Sequence, residues 1–123
     1  MERQGGFFTT GGLAAVHAKG RSREAIWDGL ERRETYATTG PRMVVRFFGG
    51  WEFEAKDAQT RSPAMIGYSK GVPMGGDISA APAGKAPTFL VAALRDPIGA
   101  NLDRIQIIKG WLDAKGELHE KVH

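Results

Sequence analysis

The stretch Met43-Val44-Val45-Arg46-Phe47-Phe48-Gly49-Gly50-Trp51-Glu52-Phe53-Glu54 decides the fold class. Its first half is β-branched and aromatic, the composition that suits a pleated, half-buried surface. Gly49-Gly50 marks a bulge or bend. Trp51 to Glu54 then alternates apolar and acidic residues with period two, as one buried and one wet face require. Strand is therefore expected over 43–54. Downstream, Ala64-Met65-Ile66-Gly67-Tyr68 reads as a short strand over 64–68. Thr88-Phe89-Leu90-Val91-Ala92-Ala93-Leu94 lacks a polar face and reads as a strand covered on both sides, over 88–95. Strands over 104–112 and 117–122 flank Asp113-Ala114-Lys115-Gly116, a hairpin turn with glycine where positive φ is needed. The intervening stretches 56–62, 72–77 and 80–87 read as loops and irregular turns.

Upstream, one helix is expected. Ser22 is a good N-cap and Glu24 suits the positive end of the helix dipole. Ala25, Ile26, Gly29, Leu30 and Arg33 then recur at helical spacing, which carries the helix over 23–34. Gly29 inside it predicts close packing against a neighbour, since glycine costs about 1 kcal/mol there relative to alanine. Leu13 to Val16 reads as a short strand or extended segment, and Phe7-Phe8 needs a cover. The expected fold is mainly β (α+β): a small antiparallel β-sandwich-like domain preceded by one α-helix. Residues 1–41 form the N-terminal extended segment and helix, residues 42–123 the β-rich part, in one compact unit. Ile26, Leu30, Val45, Phe47, Phe89, Val91, Ile105 and Ile107 are the expected core.

Composition narrows the function classes. Cysteine is absent, which excludes a disulfide scaffold, a thiolate zinc site and a cysteine nucleophile. The net charge of +3 comes from interspersed residues with no basic run, so a solvated mixed surface is expected rather than a nucleic-acid footprint. The longest apolar stretch, Phe89 to Leu94, falls far short of the ~20 residues of a membrane span. Met1 to Gly6 lacks the apolar core of a secretory signal. A soluble, cytoplasmic protein without nucleic-acid or membrane partners is the expectation.

Candidate chemistry is sparse. His119 and His123 stand four apart on an expected strand, some 13 Å from each other, too far for a metal pair. His17 has no acidic neighbour in sequence and reads as a surface or capping residue. Asp77, Asp96 and Asp103 flank expected strands near glycine or proline, where aspartate commonly bonds its own turn. Gly71-Val72-Pro73-Met74-Gly75-Gly76 lacks the lysine and hydroxyl residue of a phosphate loop. No catalytic residue and no metal ligand is assigned. The candidate ligand-binding residues are Trp51, Tyr68 and Trp111, as an aromatic platform for carbohydrate, against the commoner core role of such rings.

Several strings together resemble one family. They are Gly12-Leu13-Ala14-Ala15-Val16, Ser22-Arg23-Glu24-Ala25-Ile26-Trp27-Asp28-Gly29-Leu30, Arg32-Arg33-Glu34-Thr35-Tyr36-Ala37-Thr38-Thr39-Gly40-Pro41-Arg42 and Val45-Arg46-Phe47-Phe48-Gly49-Gly50-Trp51. Gly71-Val72-Pro73-Met74-Gly75-Gly76-Asp77 and Asp103-Arg104-Ile105-Gln106-Ile107-Ile108-Lys109-Gly110-Trp111 follow. In this order they resemble the C-terminal part of the "domain of unknown function 3604" family, larger bacterial proteins related to PHP-type metal-dependent phosphoesterases. The resemblance spans about residues 10 to 122. It implies a divalent metal for the full-length family, held by a His-x-His pair and a Ser-Thr-Asp-Thr-His segment. Neither string occurs here, so no cofactor is assigned to this chain. Family members usually carry tryptophan where this chain has His17.

The resemblance implies a non-catalytic C-terminal module or fragment of a hydrolase-like protein, shaping an active site or mediating assembly. Its partner would be the rest of a larger chain or a second copy in a homo-oligomer. A free-standing carbohydrate-binding module and a self-associating interaction domain are the alternatives.

Overall fold

The computed structural model describes residues 11–123. Phe7 and Phe8 lie outside them. Among the described residues the chain is mostly β, with three small antiparallel sheets and two α-helices, the α+β class read from the sequence. β1 (Leu13–Val16) pairs with β2 (Thr35–Thr38), setting Leu13 opposite Thr38 and Val16 opposite Thr35. Between them runs α1 (Arg23–Glu31), capped at its start by Ser22, whose Oγ accepts from the Ala25 N–H at 3.2 Å. A Cβ added at Gly29 would lie 2.8 Å from the His17 carbonyl oxygen and from Val16 Cγ2. The helix rests on β1 at that point, as the glycine predicted.

α1 stops at Glu31 rather than 34. Arg33 adopts a left-handed backbone (φ 58), and the Glu34 N–H turns back to the Gly29 carbonyl at 3.1 Å. This is a left-handed helix terminus built without glycine, so it carries strain. β2, which the strand pattern did not announce, leaves directly from it.

The second sheet holds the core. β3 (Val44–Gly50) lies between β4 (Gly71–Pro73) and β5 (Thr88–Leu94), both antiparallel to it. Phe48 and Leu90 face each other across β3 and β5 and are 1% and 5% exposed. α2 (Pro63–Lys70) covers them, with Gly67 seated on the Phe48 ring and Tyr68 meeting its edge at 5.2 Å.

Several expectations are corrected here. Residues 64–68 are helix, not strand; proline stands at the first helical position after Ser62, where its missing N–H costs nothing. The strand expected over 43–54 ends at Gly50. Beyond Trp51, Glu54 and Asp57 form a reciprocal capping box that opens a 3-10 turn, Ala55–Gln59. Ile26, Leu30, Phe89 and Ile105 are exposed rather than core, while Val45, Phe47, Val91 and Ile107 are half-buried. In β3 the buried parity is that of Phe48, because α2 lies on that face.

The third sheet is a hairpin of β6 (Ile108–Leu112) and β7 (Leu118–Val122), shorter than the expected 104–112 and 117–122. Its turn is the one read from sequence: Gly116 has φ 83, and Asp113 Oδ1 accepts from the Lys115 and Glu117 N–H groups at 2.8 and 2.9 Å. All ten strand residues are exposed.

Candidate functional site

The turn that ends α1 builds the site. The left-handed Arg33 brings Arg32 and Glu34 together, with Arg32 Nε donating to Glu34 Oε1 at 2.8 Å. Gly75 (φ 82) permits this turn from outside, since a Cβ there would lie 2.5 Å from Arg33 Cβ. Glu34 is 3% exposed. The Tyr68 hydroxyl, carried in by α2, donates to Glu34 Oε2 and accepts from Arg46 Nη1 at 3.2 Å. Arg32 also pairs with Asp28 one turn back on α1.

His17 closes one side. Its Nε2 donates to the Val45 carbonyl at 2.8 Å, beyond the point where β4 stops pairing with β3. A carbonyl only accepts, so Nε2 carries a proton. Tyr36 holds the imidazole, centroid to centroid at 5.4 Å. Of the surface or capping role expected of His17, the structure shows the second kind of contact: the ring is half-buried and bonds a backbone carbonyl beside the cavity.

Together these groups line a cavity of about 540 Å³ with Ala18, Lys19 and Pro73. Three cations (Lys19, Arg32, Arg46) and one carboxylate (Glu34) face it. Burial alone would push the Glu34 carboxyl up, but the hydrogen bonds from Tyr68 and Arg32 outweigh it and hold it below the usual carboxylate range. Burial and Glu34 push the Tyr68 phenol up, so it stays protonated. Arg32 is thus spoken for by two carboxylates. Among the described residues, Arg46 and Lys19 pair with none.

The three aromatic candidates fall in different places. Tyr68 lines this cavity. Trp111 lies on the hairpin, stacked on His119 at 5.3 Å with Lys109 Nζ 4.9 Å from its ring. His119 in turn bonds Asp113 at 3.1 Å. Trp51 follows β3 with its indole Nε1 buried and without a partner. The site residues that the sequence reading missed are His17, Arg32, Glu34 and Arg46. Only the string Arg32-Arg33-Glu34 carried any signal, a charged triplet at a helix end.

Among the described residues no group of three or more histidine, cysteine, aspartate or glutamate side chains could hold an ion. Nor is any described helix long and apolar enough to cross a membrane. No curated protein and no solved structure matches the chain significantly. The family resemblance carried by the glycine- and arginine-rich strings does extend over nearly the full length: residues 2–123 match the family described as "Protein of unknown function (DUF3604)", and the chain belongs to it.

Proposed function

We propose that the chain is a non-catalytic module of a larger, PHP-like metal-dependent hydrolase, and that its basic cavity holds an anionic group of that protein's ligand. The observation that supports this reading is the division of labour around Glu34. The buried carboxylate occupies Arg32 and fixes the Tyr68 phenol, and Arg46 and Lys19 pair with no carboxylate among the described residues. A guanidinium fork presented in this way matches a carboxylate, phosphate or sulfate group. An entering oxyanion would meet Arg46 and Lys19 first. His17 lines one side, and Pro73 and Ala18 supply apolar wall.

The test is calorimetric titration of the purified chain with inorganic phosphate, sulfate, acetate and a neutral glycan panel. Saturable binding of the oxyanions in roughly the millimolar range is expected, as befits a small ion held by two or three charge contacts. Arg46→Ala should weaken it about tenfold or more. No response to any oxyanion would overturn the reading. A response to neutral glycans with quenching of tryptophan fluorescence would favour the aromatic-platform alternative through Trp51 or Trp111. Stoichiometric binding of a divalent metal together with ester hydrolysis by this chain alone would overturn its non-catalytic part.

A further inference from the structure

Among the described residues, the second sheet ends in an open edge. β5 is the outer strand of the order β4-β3-β5, and it pairs with β3 through all seven of its residues without a bulge. On its far side, among the described residues, no backbone hydrogen bond leaves Thr88 to Leu94. Soluble proteins blunt such edges with charges, proline, bulges or a covering segment. The sequence Thr-Phe-Leu-Val-Ala-Ala-Leu has no charge and no proline, and Phe89 and Leu94 remain 44% and 66% exposed.

The order of side chains says what fits this edge. Paired antiparallel with its own copy about Val91, Phe89 would stand opposite Ala93, Leu90 opposite Ala92, and Val91 opposite Val91. Phe89 and Leu90 each meet an alanine and Leu94 meets Thr88, at the 4.5–5.5 Å spacing where cross-strand pairs interact. The axis runs perpendicular to the sheet, so α2 of both copies lies on the same side and both Phe47–Phe89 stacks lie on the other. The pattern is self-complementary in size as well as in hydrogen bonding.

We infer that β5 is a homodimer edge: two copies join β5 to β5 about Val91 into one six-stranded antiparallel sheet. The edge is complementary to itself in size and in hydrogen bonding, which commits the occupant to a second copy. Seven paired residues a side bury about 1,000 Å² in total, the floor for a specific interface, which points to micromolar rather than nanomolar association. This inference is independent of the anion site, since β5 contributes no residue to that cavity.

Sedimentation equilibrium of the purified chain over about 1–300 µM tests it. The weight-average mass should rise from 13.3 kDa towards twice that value. Ala93→Lys places a charge in the edge and should weaken association at least about tenfold without altering circular dichroism. Phe89→Ala opens a gap in each pair and Ala93→Phe sets two rings against each other, so each alone should weaken the dimer. The double variant restores one large and one small residue per pair and should recover it. Hydrogen exchange of the wild-type chain gives a readout that needs no variant: β5 amides should gain protection with concentration. A monomer at every concentration overturns the inference. Association that Ala93→Lys leaves intact, or that shows no added β5 protection, overturns β5 as its surface.

Discussion

Replacing Gly67 by alanine sets two magnitudes against each other. In the middle of an exposed helix the change gains about 1 kcal/mol, the propensity difference between glycine and alanine. Gly67 is buried, however, and a Cβ there would lie 2.5 Å from Phe48 Cγ and closer still to Cδ2 and Cε2. Carbon atoms in contact rest about 3.5–4.0 Å apart, so the helix must back off by roughly 1 Å or the ring must swing. The ring has nowhere to go, being 1% exposed with Leu90 across the sheet and Tyr68 at its edge. Overpacking of this kind costs about 1–3 kcal/mol. The lifted helix also draws Tyr68 away from Glu34, straining a charge-assisted bond worth about 1.5–3 kcal/mol. The clash outweighs the propensity, and we expect a net loss of about 2 kcal/mol. In a domain of this size that lowers the melting temperature by roughly 6–10 °C. Urea denaturation followed by far-ultraviolet circular dichroism measures it. Stability equal to or above wild type would refute the seating of α2 on Phe48, and with it the placement of Tyr68 in the cavity.

Two further expectations concern the site's frame. Gly75→Ala meets both a left-handed φ of 82 and the Arg33 backbone, whose carbonyl carbon would lie 2.7 Å from the new Cβ; a loss of about 2–3 kcal/mol is expected in the same denaturation assay, and a neutral result would remove the proposed support of the Arg33 turn. Acid should also weaken the fold. Glu34, Asp57, Asp96 and Asp113 are all held below the usual carboxylate range, Asp57 first by Lys70, Asp96 first by the Arg42 N–H and Asp113 first by His119. Their unfolded forms bind protons first, so this stabilisation is complete above about pH 5 and is lost as pH falls through the lowered native values. Urea midpoints measured from pH 7 down to pH 3 should fall below pH 5, and a flat profile would contradict the ion pairs.

What the sequence disclosed was whatever is decided by neighbours along the chain. Ser22 and Glu24 announced the start of α1, Gly29 its close packing, the β-branched run Val44-Val45 the central strand, and Asp113 with Gly116 the hairpin turn. What it withheld depends on approach in three dimensions. Ala64-Met65-Ile66-Gly67-Tyr68 is too short and too uniformly apolar for periodicity to separate strand from helix. The deciding signal was Ser62-Pro63, a helix start. Phe47 and Phe48 are chemically identical, and only the arrival of α2 on one face makes the second of them the core. Glu34 looked like the solvated end of a surface helix. Its depth comes from Tyr68, 34 residues further along, and His17 took its place through a carbonyl 28 residues away.

The separation into three sheets bears on how the molecule comes apart. The β6–β7 hairpin closes on contacts close in sequence and leaves all ten strand residues in water, whereas β3 gathers β4, β5 and α2 around Phe48. Two-stranded ribbons of this kind are marginal by themselves, so opening of the hairpin need not wait for the central sheet. Trp111 and Trp51 then witness different events within one chain. An intrinsic-fluorescence melt sums a fraying ribbon and a cooperative core, and a single unfolding free energy describes only the second.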